Sequence, residues 1–424
     1  MNRPWRLAVV ALLSFVVPHV PPLCAAEPTK DWPQWRGPNR DAASTEKGLL
    51  KEWTEGGPAL AWKASGLGRG YGSLVLAGGK IFVMGQRQDA EQVLALEGSH
   101  GQELWSAQVG GASGDGPSST PTIDGDRLYA LGSLGDLVCV KVADGHELWR
   151  KSLTKDFGGS VPTWKYCESP LIDGNRVVVS PGSATATMVA LNKHSGEVIW
   201  KTAIPSGGGS GFGYSSAVIS EGAGVRQYVQ LLGAGTGCVG VHAESGKLLW
   251  QYTRVSNGTA SIPTPIVDGN HVFCTSGYGT GAALLELSRD GDRVAAREVY
   301  FLEGGKLQNH HGGMVKVGSH LFGGHGHGNG FPVCVEMKSG KIKWGGNMRG
   351  PGSGSAAVVY ADGCLYFRYE NGLMALIEAS TDQYRLKGQF KIPEVNAPSW
   401  SHPVVADGKL YLREQNNLFV YSVR

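Results

Sequence analysis

The sequence predicts an all-β fold: an eight-bladed β-propeller of four-stranded antiparallel blades. Three observations carry that expectation. Gly-x-x-x-Trp recurs at Gly101–Trp105, Gly145–Trp149, Gly196–Trp200, Gly246–Trp250 and Gly340–Trp344. The tryptophans are spaced by 44, 51 and 50 residues and then by 94, which is two steps with one tryptophan missing. Finally, Leu60-Ala61-Trp62-Lys63 reads as a fourth strand with nothing before it, whereas Ser401 to Arg424 reads as three strands with nothing after. A repeat in the forties marks supersecondary units that cannot bury their apolar faces singly.

Each unit reads as four short strands separated by tight turns. In the second unit the strands are Ser119–Ile123, Arg127–Leu131, Leu137–Val142 and Glu147–Lys151, with Asp124-Gly125 and Asp144-Gly145 among the turns. Short β-rich runs between Asp-Gly and Gly-Asn turns are hairpin signals, and no long amphipathic helical pattern interrupts them. Fourth strands fall near Trp62, Trp105, Trp149, Trp200, Trp250, Val299, Trp344 and Phe390. Pairing the Trp62 strand with the last three closes the ring and removes two exposed sheet edges.

Ahead of the ring, residues 1–26 read as a secretory signal peptide. Arg3 and Arg6 precede an apolar stretch from Leu7 to Val17, and Cys24-Ala25-Ala26 supplies small residues for cleavage. The apolar stretch is too short to span a bilayer. The mature chain is therefore expected to be exported, periplasmic or extracellular, with no transmembrane segment; retention by a lipid or membrane anchor at Cys24 is the weaker alternative. Residues 27–57 form a strap and residues 58–424 the propeller.

Composition narrows the partners. The formal charge is +3, or +1 without Arg3 and Arg6, and charged residues make up 18% of the chain. That leaves no broad cationic surface for nucleic acid. Cys139, Cys238 and Cys334 occupy one phase of three repeats, so they are expected as buried free thiols rather than disulfide partners.

The pattern Leu191-x-x-x-x-Gly196-x-x-x-Trp200 and its siblings resemble the repeat of the pyrroloquinoline-quinone-like (PQQ-like) β-propellers. That superfamily includes quinoprotein alcohol dehydrogenases and an outer-membrane assembly lipoprotein. The resemblance covers nearly all of residues 58–424, and it implies a turn at the glycine and a tryptophan packed between blades. Trp32-Pro33-Gln34-Trp35-Arg36-Gly37-Pro38-Asn39-Arg40 is similar to the opening segment of exported bacterial members, with Ala42 where the family often has glycine. It is expected as an extended strap whose tryptophans pack on the ring. Quinoprotein dehydrogenases usually stack the quinone between a tryptophan and a disulfide of adjacent cysteines, above a calcium held by carboxylate and amide side chains. This chain has no adjacent cysteine pair, so PQQ is not expected, although Trp164 or Trp400 would suit a stacking platform.

Five of the twelve histidines fall between 310 and 327. His310 and His311 precede a first strand, while His325 and His327 occupy the following turn between second and third strands. In a propeller these positions share one face, here termed the top, so the two pairs are expected to converge at the channel mouth. Imidazoles suit a transition metal, and a glycine-rich hydrogen-bonded loop is the plainer reading. First-strand starts in other blades add Tyr71, Tyr166, Glu168, Tyr214, Trp400 and His402 as candidate ligand-binding residues. Glu168 is the one carboxylate among them, a candidate acid/base group or fourth metal ligand; it equally suits a structural role, pairing with Lys165 or satisfying backbone amides. Gly235-Thr236-Gly237-Cys238-Val239-Gly240 has the letters of a dinucleotide fingerprint without the helix that motif requires.

These features point first to a non-catalytic exported module that binds a protein, a glycan or a small polar ligand at its top face. The alternatives are a metal- or quinone-dependent oxidoreductase centred on His310, His311, His325 and His327, and a scaffold in outer-membrane protein assembly. Whether any catalysis occurs stays open at this level.

Overall fold

Alternating short strands and tight turns produce eight sheets in the computed structural model, which describes residues 31–204, 213–291 and 293–424 together with Met1. The proposed leader, apart from Met1, and strap residues 27–30 lie outside the described residues. The first blade spans residues 74–111, and the next six span 122–152, 171–202, 218–252, 266–303, 314–344 and 356–391. The eighth combines Val404–Ala406, Lys409–Glu414 and Asn417–Ser422 with Leu60–Ser65 from the other end of the chain. Trp62 pairs with Val420 and Lys63 with Phe419, so the ring closes as the sequence predicts.

First strands are shorter than expected. In the second blade the strand begins at Thr122 rather than Ser119, and the equivalent strands of blades 3, 4, 5 and 8 also hold three residues. Prolines 121, 170, 265 and 403 each stand immediately before one of these strands, and a proline lacks the N–H that a ladder needs. The residues ahead of the first strands of blades 1, 2 and 3 bond across blades instead. Ser73 N and Thr120 N donate to Thr120 Oγ1 and Ser169 Oγ of the next blade, and Ser169 N donates to Ser216 Oγ, all at 2.9–3.0 Å.

The recurring tryptophan explains how blades hold together. Each repeat glycine lies at φ of 70–76°, and the ring of the preceding blade covers it. Trp62 covers Gly101, Trp105 covers Gly145, Trp149 covers Gly196 and Trp200 covers Gly246, leaving 2.6–3.0 Å between the ring and a β carbon built at the glycine. The indole N–H groups of Trp105, Trp149 and Trp200 donate to the carbonyls of Val142, Lys193 and Ala243 in the next blade. The missing tryptophan is Tyr300: its ring covers Gly340 and its hydroxyl donates to Met337 O at 2.7 Å. Trp250 departs from the pattern and donates to Gln227 Oε1 within its own blade.

The strap crosses the bottom of the ring, the face carrying the turns between first and second strands. It bonds to blade 1 through Trp32 N and Leu76 O, to blade 2 through Pro33 O and Ile123 N, and to blade 3 through Arg40 and the carbonyls of Ser169 and Pro170. It then runs parallel to blade 7, Ala43 beside Tyr360, and meets blade 8 where Glu46 accepts from the amides of Asp407 and Gly408. Arg36, Gly37, Arg40 and Ala42 all adopt positive φ. Ala42, at φ 61° and wholly buried, thus keeps the left-handed turn that glycine would favour.

The six described cysteines are free. Cys139, Cys238 and Cys334 are buried as expected, but Cys238 has a thiol neighbour in the next blade, Cys274, which adds to burial in raising its pKa well above the ordinary thiol value. No helix among the described residues is long and apolar enough to cross a membrane.

Gly246→Ala should cost about 2 kcal/mol or more in denaturant unfolding, because left-handed strain adds to a β carbon 2.7 Å from the Trp200 ring. Gly269→Ala, at φ 56° with open space around it, should cost only the strain, about 1 kcal/mol. Equal losses would remove the role assigned to the tryptophan.

Candidate functional site

Eight first strands around an axis leave a hole, and the strap fills its lower end. Trp35 and Arg36, at the strap's turn, rise into the channel, where Trp35 Nε1 donates to Thr264 Oγ1 at 3.2 Å and its ring meets His402 at 4.5 Å. Above them lies a cavity of about 340 Å³. Its aromatic wall comprises Trp35, Tyr71, Trp164, Tyr214, Tyr278 and Trp400, and its remaining lining is mostly small or apolar. Tyr71 and Trp400 stand 4.7 Å apart, and Trp164 and Trp400 expose 58% and 36% of their surface at the rim.

Of the residues singled out from sequence, Tyr71, Tyr214, Trp400, His402, His310 and His311 line this cavity. His327 stands at its edge, its ring 4.2 Å from both His310 and Tyr278. His325 does not join them. It is the last residue of the strand His320–His325, and Gly326, at φ 90°, turns the chain so that successive side chains no longer alternate as they would along a strand. Its Nδ1 accepts instead from the Gln308 amide at 3.2 Å. Among the described residues no group of three or more histidine, cysteine, aspartate or glutamate side chains is placed to hold a metal ion.

Glu168 and Tyr166 occupy a small separate crevice with Ser180 and Thr187. Glu168 is buried and accepts from Ser180 N at 2.5 Å and Gln230 Nε2 at 3.1 Å. Its cationic neighbour is Arg40 of the strap rather than Lys165. Burial raises its pKa to about 7, against those hydrogen bonds and Arg40. Tyr166 is a core residue whose hydroxyl donates to Pro181 O.

The cavity's histidines are held neutral. Burial lowers His402 to about 3, with Arg36 adding to the effect, and lowers His310 to about 4, with His327 adding. Burial also drives His311 well below its ordinary value, helped by His310, His402 and His327. His310 shares hydrogen bonds with Ser355 Oγ at 2.8 Å and Tyr278 hydroxyl at 3.1 Å. His402 Nε2 faces the His311 carbonyl at 3.2 Å, so it carries the proton and Nδ1 is left as an acceptor without a partner.

Among the aromatic and charged lining residues, three escaped the sequence reading. Tyr278 occupies the turn between second and third strands of its blade, the same kind of position as His327, so topology alone would have placed it. Trp35 and Arg36 sit in a segment recognised as a strap, but nothing local to it says that its turn enters the channel.

A quinone bound as the resemblance implies does not fit these residues. Cys167 is the single cysteine lining the cavity, and neither a carboxylate nor an amide side chain lines it among the described residues.

Ring, channel and capped cavity define the class as a PQQ-like β-propeller. The model of a family described as outer membrane protein assembly factor BamB matches residues 39–161 and 89–345, and the chain belongs to that family. Its fold is similar to that of BamB from Moraxella catarrhalis, at 14% identity and TM-score 0.58, covering 83% of this chain and 94% of that one. It is also similar to a quinohemoprotein alcohol dehydrogenase from Comamonas testosteroni, at 13% identity and TM-score 0.66, covering 94% and 81%. A europium-containing methanol dehydrogenase gives 12% identity and TM-score 0.67, covering 92% and 98%. At these identities the likeness is one of fold. No curated protein shows a significant sequence match.

Glu168 makes a signed prediction. A carboxyl whose pKa rises from 4.5 to about 7 binds its proton more tightly when folded. Its contribution to stability is therefore present at low pH and lost as pH rises from about 4.5 to 7, by roughly 3 kcal/mol at most. The stability of Glu168→Gln relative to the parent should accordingly increase across that window and level off above pH 7, in urea titrations at a series of pH values. A difference independent of pH would contradict the placement of an ionisable Glu168 in this crevice.

Proposed function

We propose that the chain is an exported binding module whose top-face cavity takes a small ligand with a flat body. The observation that carries this reading is the aromatic wall around a space of about 340 Å³. That volume lies at the small end of ligand pockets, which are mostly apolar and carry a few fixed polar groups. The catalytic alternatives have less support: His310, His311 and His327 cluster, but their rings bond to Ser355 and Tyr278 or pack on aromatics. Glu168, the candidate acid, lies in a different crevice.

A scaffold in outer-membrane assembly is the second reading. The family match favours it, and so does the exposure of Val161, Trp164 and Trp400 on one face, since apolar groups exposed together mark interaction surfaces. The two readings share the face and differ in what reaches the cavity.

Calorimetry with a panel of aromatic acids, aromatic alcohols and aldoses tests the small-ligand reading. At least one class should bind saturably at one site per chain, and Trp400→Ala should weaken it tenfold or more while leaving the melting temperature within a few degrees. Absence of saturable binding across the panel would favour the scaffold. Stoichiometric metal or a visible absorption band in protein purified without an affinity tag would favour the oxidoreductase.

A further inference from the structure

Blades 4 and 5 meet without the contact that joins their neighbours. Trp105, Trp149, Trp200 and Trp344 each send an indole N–H to a carbonyl of the following blade, and Trp62 covers Gly101. Trp250 does neither. Its N–H goes to Gln227 Oε1 and its ring faces Gly240, both in its own blade. Gly291, in the corresponding turn of blade 5, has nothing within 4 Å of a β carbon built on it. On the outer strands the seam is crossed by Tyr252 and Arg254, which bond to Glu298 and Glu303, and Arg254 lies over the Phe301 ring. Arg254 and Glu303 are 50% and 71% exposed, and exposed ion pairs of that kind contribute little.

The same seam holds two thiols. Cys238 opens the third strand of blade 4, paired with Leu231 and Tyr252, and Cys274 lies in the second strand of blade 5, paired with Ala283. They share one buried core with Val229, Leu231, Val272 and Leu285, and they are 0% and 1% exposed. The Cys274 thiol is the direct neighbour of the Cys238 thiol in that core. Cys139, Cys238 and Cys334 share one phase of the repeat, which keeps them apart. Cys274 stands one blade on and one strand earlier, and so meets Cys238.

We propose that Cys238 and Cys274 are a modification site, oxidised to a disulfide that staples blade 4 to blade 5 where the tryptophan contact is missing. The co-reactant is a thiol-exchanging disulfide of the oxidising compartment in which an exported chain folds. One cysteine thiolate attacks a sulfur of that disulfide, expelling one thiolate and leaving a mixed disulfide. The second cysteine attacks the mixed disulfide and expels the other thiolate. Two cysteine protons and two electrons thus pass to the co-reactant, which leaves as two thiols. Both sulfurs are buried once the ring is complete, so the exchange belongs to folding, before blades 4 and 5 close. The finished ring then shields the bond from reduction. Of the reading above, this takes only export to an oxidising compartment.

The test maps disulfides in residues 27–424 produced behind a supplied export leader in a bacterial periplasm, and in the same chain kept in a reducing cytosol. Supplying the leader makes the result independent of whether residues 1–26 direct export. Each sample is acid-quenched, alkylated in denaturant and digested for mass spectrometry. The periplasmic sample should yield the Cys238 peptide joined to the Cys274 peptide, two hydrogens lighter than their sum and separated by reduction. Cys139, Cys167, Cys334 and Cys364 should be alkylated, and in the cytosolic sample all six cysteines should be. The periplasmic protein should melt roughly 3 °C or more above the cytosolic one, and in Cys274→Val the two sources should melt together. Full alkylation of Cys238 and Cys274 in folded periplasmic protein would overturn the staple, as would pairing of either with another cysteine. A melting difference that persists in Cys274→Val would do the same. Should that variant fail to fold, the map of the parent decides alone.

Discussion

An aromatic ring laid over a left-handed glycine of the next blade is the contact on which the rest depends. Among the described residues neighbouring blades belong to separate sheets, so their register rests largely on side chains. The pair from Trp149 to Gly196 illustrates how. The glycine admits the ring because it has no β carbon, and the indole N–H then finds the Lys193 carbonyl. Repetition of this contact sets one blade against another and leaves an axial hole as a geometric by-product.

The hole is where function becomes available, and also where the ring is weakest in packing. First strands arrive there with prolines and serines rather than large apolar residues, so the blades alone cannot fill the centre. The strap answers this from below. Its turn at Arg36 and Gly37 is held in left-handed conformations that only many surrounding contacts can sustain. Trp35 then serves as a floor, and a through-channel becomes a pocket open on one side. Function in this architecture is set by what stands at the floor and rim, and repeat sequence constrains neither.

Legibility followed that division. Strand order, the blade count and closure by Trp62 could be read because they follow from a period and a missing partner, both visible in a single chain. Tyr300 shows the limit of letter matching, since a tyrosine performs the tryptophan's task with a hydroxyl in place of an indole N–H. The top-face placement of Tyr71, Tyr214, His310, His311, Trp400 and His402 followed from topology. His325 and Glu168 did not follow, because topology places a backbone and says nothing about which way a side chain turns at a positive-φ glycine or how deep it lies. Arg36 was out of reach for a different reason: its position comes from its own bond to Met314 O in blade 6 and from the bonds of Arg40 to blade 3, more than a hundred residues away.

If the strap is an integral floor, its backbone must be as protected as the blades it bridges. Amide hydrogen exchange followed by mass spectrometry on peptides spanning residues 32–44 measures this directly. The Trp32 amide bonded to Leu76 O and the Ala42 amide bonded to Arg36 O should exchange as slowly as the blade 1 and blade 7 strands beside them. Exchange within seconds across that stretch, with slow blades on either side, would mean that the ring stands open and that the cavity described here has no bottom.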